Sequence, residues 1–101
     1  MSDQEHLERL RQHVEAALEY SGGTHHFEDI LEMVKDSRLQ VWPATESIVL
    51  TEIIVYPRLK NLHYFLAGGD LDELKQMRPY IESWGKQLGC SRVSLAGRQG
   101  W

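Results

Sequence analysis

Glu52, Tyr56, His63 and Tyr64 bring a carboxylate, an imidazole and two phenols into one short stretch of chain. Acid–base catalysts are built from such side chains, and a carboxylate beside a tyrosine can serve as the proton-transfer pair of an acyl transfer. Glu52 and Tyr56 are the candidate catalytic residues, because strand alternation puts residues 52, 54 and 56 on one face. A cross-strand hydrogen-bonded pair accounts for the same residues without catalysis. Cys90 follows Gly89 and is the single cysteine. With His63 it would make a thiol–imidazole nucleophile; at a helix–strand junction the same thiol packs as a small apolar group. His25 and His26 with Glu28 and Asp29 have the residue types of a metal site. Adjacent helical positions diverge by about 100°, which keeps neighbouring histidines off a common ion. That group reads as a solvated helix start, and no metal is expected. His6 and His13, two turns apart, are likewise too distant to share a ligand.

Gly68 and Gly69 precede Asp70-Leu71-Asp72-Glu73. Glycines ahead of a helix allow close backbone approach to a phosphate, so both are candidate cofactor-binding residues. The neighbours argue otherwise. Three carboxylates crowd the first turn, and at an effective dielectric near 20 a like-charge pair about 4 Å apart costs roughly 4 kcal/mol. As helix caps the same carboxylates are well placed. Trp42, Arg98 and Trp101 form a third group. Tryptophan and arginine are enriched at protein interfaces, and a guanidinium stacks on an indole. The alternative is that Trp42 and Trp101 fold back over the end of a sheet.

The elements that must position these groups follow from periodicity. Ser2 and Glu5 make a capping box, after which Leu7, Leu10, Val14, Ala17 and Leu18 recur at helical spacing. Ser21-Gly22-Gly23 ends that first helix. Thr24 is the expected cap of a second helix with Phe27, Ile30, Leu31 and Val34 on one side. The period then falls to two. Leu39 and Val41 mark a short strand that Trp42-Pro43 ends. Ser47 to Tyr56 is rich in β-branched residues on both faces, the pattern of a central strand. A turn at 57–61 and a returning strand at 62–67 complete a hairpin. A third helix carries Leu71, Leu74, Met77, Ile81, Trp84 and Leu88, with a kink expected at Pro79 and a stop at Gly89. A last strand spans 91–96 and should run parallel to the hairpin. The order is ααβββαβ, an α/β (α+β) chain with helices packed on a mixed, mostly antiparallel sheet. One domain is expected over 1–101, with a helix and Gly-rich turn at 1–23 and the core at 24–101.

Composition bounds the function. The 101 residues are 42% hydrophobic and 26% charged, ordinary globular values. Eleven basic and fifteen acidic residues give a net charge of −4, with no basic stripe, which disfavours nucleic-acid binding. No apolar run reaches membrane-spanning length, no signal peptide is seen, and one cysteine allows no internal disulfide. A cytoplasmic protein is expected.

The element order resembles the core of the GNAT acetyltransferase superfamily. The stretches Val41-Trp42-Pro43, Thr51-Glu52-Ile53, Tyr56-Pro57-Arg58, Gly68-Gly69-Asp70-Leu71, Gly89-Cys90 and Gly97-Arg98-Gln99-Gly100-Trp101 are similar to small GNAT-like proteins of tailed phages and prophages. The resemblance covers residues 25–101. It implies an acetyl-CoA pyrophosphate site at Ala67 to Glu73, yet no Arg, Lys or Gln stands before the glycines. It also implies a helix and two strands beyond 91–96, before which the chain is expected to be truncated. The function it leads to is a phage-encoded, non-catalytic GNAT-like protein, without cofactor, that binds a protein partner or forms a homo-oligomer through the sheet edge and the tail Gly97 to Trp101. An acetyl-CoA-dependent N-acetyltransferase and a virion structural or accessory protein are the alternatives.

Overall fold

The computed structural model describes residues 2–20 and 24–95. Three helices come first: α1 (Asp3–Arg9), α2 (Arg11–Tyr20) and α3 (Phe27–Lys35). The strands β1 (Gln40–Pro43), β2 (Ser47–Val55) and β3 (Lys60–Gly69) follow, then α4 (Leu71–Gln87) and β4 (Cys90–Leu95). The strands form one sheet in the order β1-β2-β3-β4; the first three are antiparallel and β4 is parallel to β3. The fold is α+β with a mixed sheet, as the periodicities require.

The two faces of the sheet carry separate cores. Alternation sends Ile48, Leu50 and Leu66 to one face, where they meet Leu7, Leu10, Val14, Leu18, Phe27 and Ile30 of the first three helices. It sends Val49, Leu62 and Tyr64 to the other, against Leu74 and Ile81 of α4. The central-strand character of β2 thus has its cause in helices on both faces. A bulge interrupts the alternation: Leu50 pairs with Leu66 but Thr51 with Tyr64, which leaves Phe65 as the extra residue.

The expected first helix is two helices. Leu10 has φ −104° and ψ 16°, and the chain turns there so that α1 lies by β1 and α3 while α2 lies on β3. The Ser2–Glu5 capping box is present. The cap of α3 is His26 rather than Thr24, with Asp29 Oδ2 accepting the His26 N–H at 2.8 Å. Thr24 Oγ1 is 2.9 Å from His25 Nδ1 instead. Pro43 belongs to β1 and does not stop it early. Ala44 N–H donates to Ser47 O, so the inward side of this strand falls on even positions and Pro43 faces away from β2, where its missing N–H costs no ladder bond. The helix α4 continues through Pro79. Leu74 and Ile81 are buried, whereas Leu71 and Leu88 at its ends are exposed. Gly89 takes φ +90° and ends it in the left-handed conformation that favours glycine.

The candidate functional site

The two glycines before Asp70 do not form a loop. Gly68 pairs with Ile48 and Gly69 with Ser47, so the returning strand runs to the foot of α4. A Cβ on Gly68 would lie 2.5 Å from His13 O, the main chain of α2. A Cβ on Gly69, at φ +117°, would lie 2.1 Å from Glu46 O. Close approach is what these glycines provide, and what approaches is the protein's own α2 and the 44–46 turn.

That turn is held from two sides. Arg9 donates to Thr45 O at 3.0 Å and to Ala44 O at 2.8 Å. Glu46 N–H donates to Glu73 Oε1 at 2.9 Å. Asp70 caps α4, with its Oδ1 accepting the Glu73 N–H at 3.1 Å, and Asp70 N–H donates to Ser47 Oγ at 3.0 Å. The Ser47 hydroxyl and the Glu46 N–H hold the Glu73 carboxyl below the ordinary carboxylate range. Part of the helix start therefore already serves carboxylates and a turn of the same chain.

Glu52 and Tyr56 are not brought together. They lie four residues apart along the chain, about 13 Å at strand rise, and Tyr56 is exposed beyond the end of β2. Its N–H donates to Leu59 O in the hairpin turn. What lies opposite Glu52 is His63, its direct partner in the β2–β3 register. Because Leu62 and Tyr64 face α4, His63 and Glu52 lie on the other face, beyond the residues that the first three helices bury. Cys90 packs on the α4 side. The sheet thus separates Cys90 from His63, and no thiol–imidazole pair exists.

The imidazole has a different partner. Ser94 of β4 places its Oγ 2.7 Å from His63 Nδ1, and Asn61 Nδ2 donates to the same Oγ at 2.9 Å. Asn61 is only 4% exposed, and its Oδ1 has no hydrogen-bond partner among the described residues. A buried acceptor left unpaired costs about 1–3 kcal/mol. Ser94 and Asn61 have no distinguishing local signal in the sequence. They meet because β4 adds parallel to β3 in a register that pairs His63 with Ser94, a pairing set by tertiary docking.

On the opposite face Tyr64 is buried, and its hydroxyl donates to Glu82 Oε2 at 3.0 Å. Arg78 Nε donates to the same oxygen at 3.0 Å. Burial and the adjacent Glu82 carboxylate push the Tyr64 phenol well above its ordinary value.

Trp42 is half-buried rather than free. Its ring packs edge-to-face on Trp84 at 5.2 Å and its Nε1 donates to Thr51 Oγ1 at 3.0 Å. The two indoles border a shallow groove of about 400 Å³ beside β1, shared with Val34, Leu39 and Asp3. Arg98 and Trp101 lie outside the described residues. No cluster of three metal-binding side chains occurs among the described residues, and no helix there is long and apolar enough to cross a membrane. No protein-family model matches the chain, and neither a curated protein nor a solved structure does.

Proposed function

We propose that this chain is a GNAT-like protein without acetyl-CoA-dependent transfer that self-associates through the outer edge of β4. The observation that carries this reading is the contrast between the two edges of the sheet. At one edge β1 has four residues and an outward proline, a protected end. At the other, β4 has six residues, no proline and one charge, Arg92. Val93 and Leu95 are 42% and 40% exposed on it. A long, weakly charged edge strand is a template for strand addition. Antiparallel pairing about a two-fold axis through Val93 sets valine against valine and Arg92 against serine, with no like charges opposed.

The lack of acetyl-CoA-dependent transfer rests on the start of α4, where Asp70, Asp72 and Glu73 stand in place of the basic groups a pyrophosphate needs. Sedimentation velocity tests the association. The wild type should dimerise with rising concentration, and Val93→Lys should remain monomeric with unchanged circular dichroism. A wild type that stays monomeric at every concentration overturns the reading. Trp101→Ala reports whether the tail contributes. Calorimetry with acetyl-CoA tests the other half, and micromolar binding that CoA competes away would restore the acetyltransferase alternative.

A further inference from the structure

The sheet face beyond the helices holds a polar group of Asn61, His63 and Ser94. Asn61 Nδ2 has only protons to offer, so Ser94 Oγ accepts from it. The Ser94 proton stays available for His63 Nδ1, 2.7 Å away. In the tautomer that carries the ring proton on Nε2, Nδ1 is the acceptor of the Ser94 proton. A serine hydroxyl within hydrogen-bond reach of an imidazole nitrogen is the arrangement of a serine nucleophile and its base.

We propose that Ser94 is a nucleophile toward small activated carboxylic esters, with His63 as its general base. Ser94 Oγ bonds to the acyl carbon while its proton passes to His63 Nδ1. The bond from the acyl carbon to the leaving oxygen breaks with its electron pair, and the departing alcohol takes the proton from His63. Water then cleaves the ester on Ser94 by the same proton path, regenerating the hydroxyl and releasing the acid.

Two further features fit this chemistry. Ser94 and His63 are partly exposed on a face that the described helices leave uncovered. Glu52 faces His63 across the ladder and sets a negative charge on the side where an imidazolium forms.

The test uses the whole chain and p-nitrophenyl acetate, with an acid quench and peptide mapping by mass spectrometry. One acetyl group per chain is expected, on Ser94, and absent from Ser94→Ala. His63→Gln should slow acylation by about a hundredfold, the scale of a general base. For His63→Gly, added imidazole should restore part of the rate, which a merely structural histidine would not allow. Circular dichroism checks that each variant folds. Acetylation of Cys90 or another residue in place of Ser94 overturns the proposal. So does no acylation in the wild type, or an equal rate in wild type and His63→Gln.

Discussion

Replacing Gly68 by alanine should loosen α2 from the sheet. The added methyl carbon would sit 2.5 Å from His13 O, 3.2 Å from the carbonyl carbon and 3.4 Å from Ala17 Cβ. Ordinary contact begins near 3.4 Å, so the overlap with His13 O is about 0.9 Å (3.4 − 2.5). No rotamer relieves it, because the obstacle is helix backbone. The remedy is a shift of α2 by about an ångström, which would forfeit a quarter to a half of the dispersion energy at the contacts it opens. Val14 and Leu18, both buried, are on that helix. Overpacking costs about 1–3 kcal/mol, and a rigid obstacle belongs at the upper end. The reduced freedom of the unfolded chain returns about 0.4–1 kcal/mol. The net expectation is a loss of about 2 kcal/mol, or roughly 8–16 °C in Tm for a domain of this size. Urea denaturation followed by tryptophan fluorescence measures it. A variant within about 0.5 kcal/mol of wild type, the range of an inert surface change, would refute the packing argument. Loss of acetyl-CoA binding at full stability would instead assign Gly68 to a ligand.

Glu73→Gln should flatten the acid limb of the stability curve. The folded-state pKa of Glu73 is depressed, so its contribution is present above the unfolded carboxylate range and is lost as pH falls through the folded value. Urea midpoints between pH 3 and 7 would show this, and an unchanged pH slope would count against the Glu46 contact. Tyr64 has the opposite sign: its raised pKa keeps the phenol protonated where a free tyrosine ionises, with the contribution lost as pH rises through the folded value. Alkaline absorbance titration should show one tyrosine ionising only on unfolding, and Tyr64→Phe should remove that component at a cost of about 0.5–1.5 kcal/mol. Ser37, at φ 59°, occupies the left-handed conformation at the end of α3. Ser37→Gly should therefore stabilise by a few tenths to about 1 kcal/mol, the left-handed cost of about 1–2 kcal/mol less the glycine entropy. A lower thermal midpoint would contradict this.

Periodicity made the fold legible because both cores lie on alternating or helical faces. Leu7, Leu10, Val14 and Leu18 and the first half of β2, Ser47 to Thr51, are buried as patterned, whereas Val55 at the end of β2 is exposed. What eluded pattern was set by contacts between distant segments. The break at Leu10 serves two different neighbours, β1 and β3, which no local signal encodes. Gly68 and Gly69 read as a loop because glycine is poor in strands, whereas here they admit α2 and the 44–46 turn. At the candidate site, Glu52 and His63 were visible by residue type, but their pairing needed the hairpin register. Ser94 needed the parallel register of β4 as well. Arg98 and Trp101, outside the described residues, stay expectations.

The way β4 joins the sheet also sets an order of assembly in time. The β2–β3 hairpin closes across a short turn, residues 56–59. The first β3–β4 pair, Lys60 with Cys90, closes a segment of 30 residues (90 − 60). The length-dependent entropy of that closure is about 3 kcal/mol, repaid only once α4 docks on Leu62 and Tyr64. Until then β3 is the rim of a three-stranded sheet, and Leu62 to Leu66 offers an apolar ribbon to any neighbouring chain. During synthesis that interval lasts at least until α4 and β4 have emerged, so α4 and β4 act as late guards of a strand already in place.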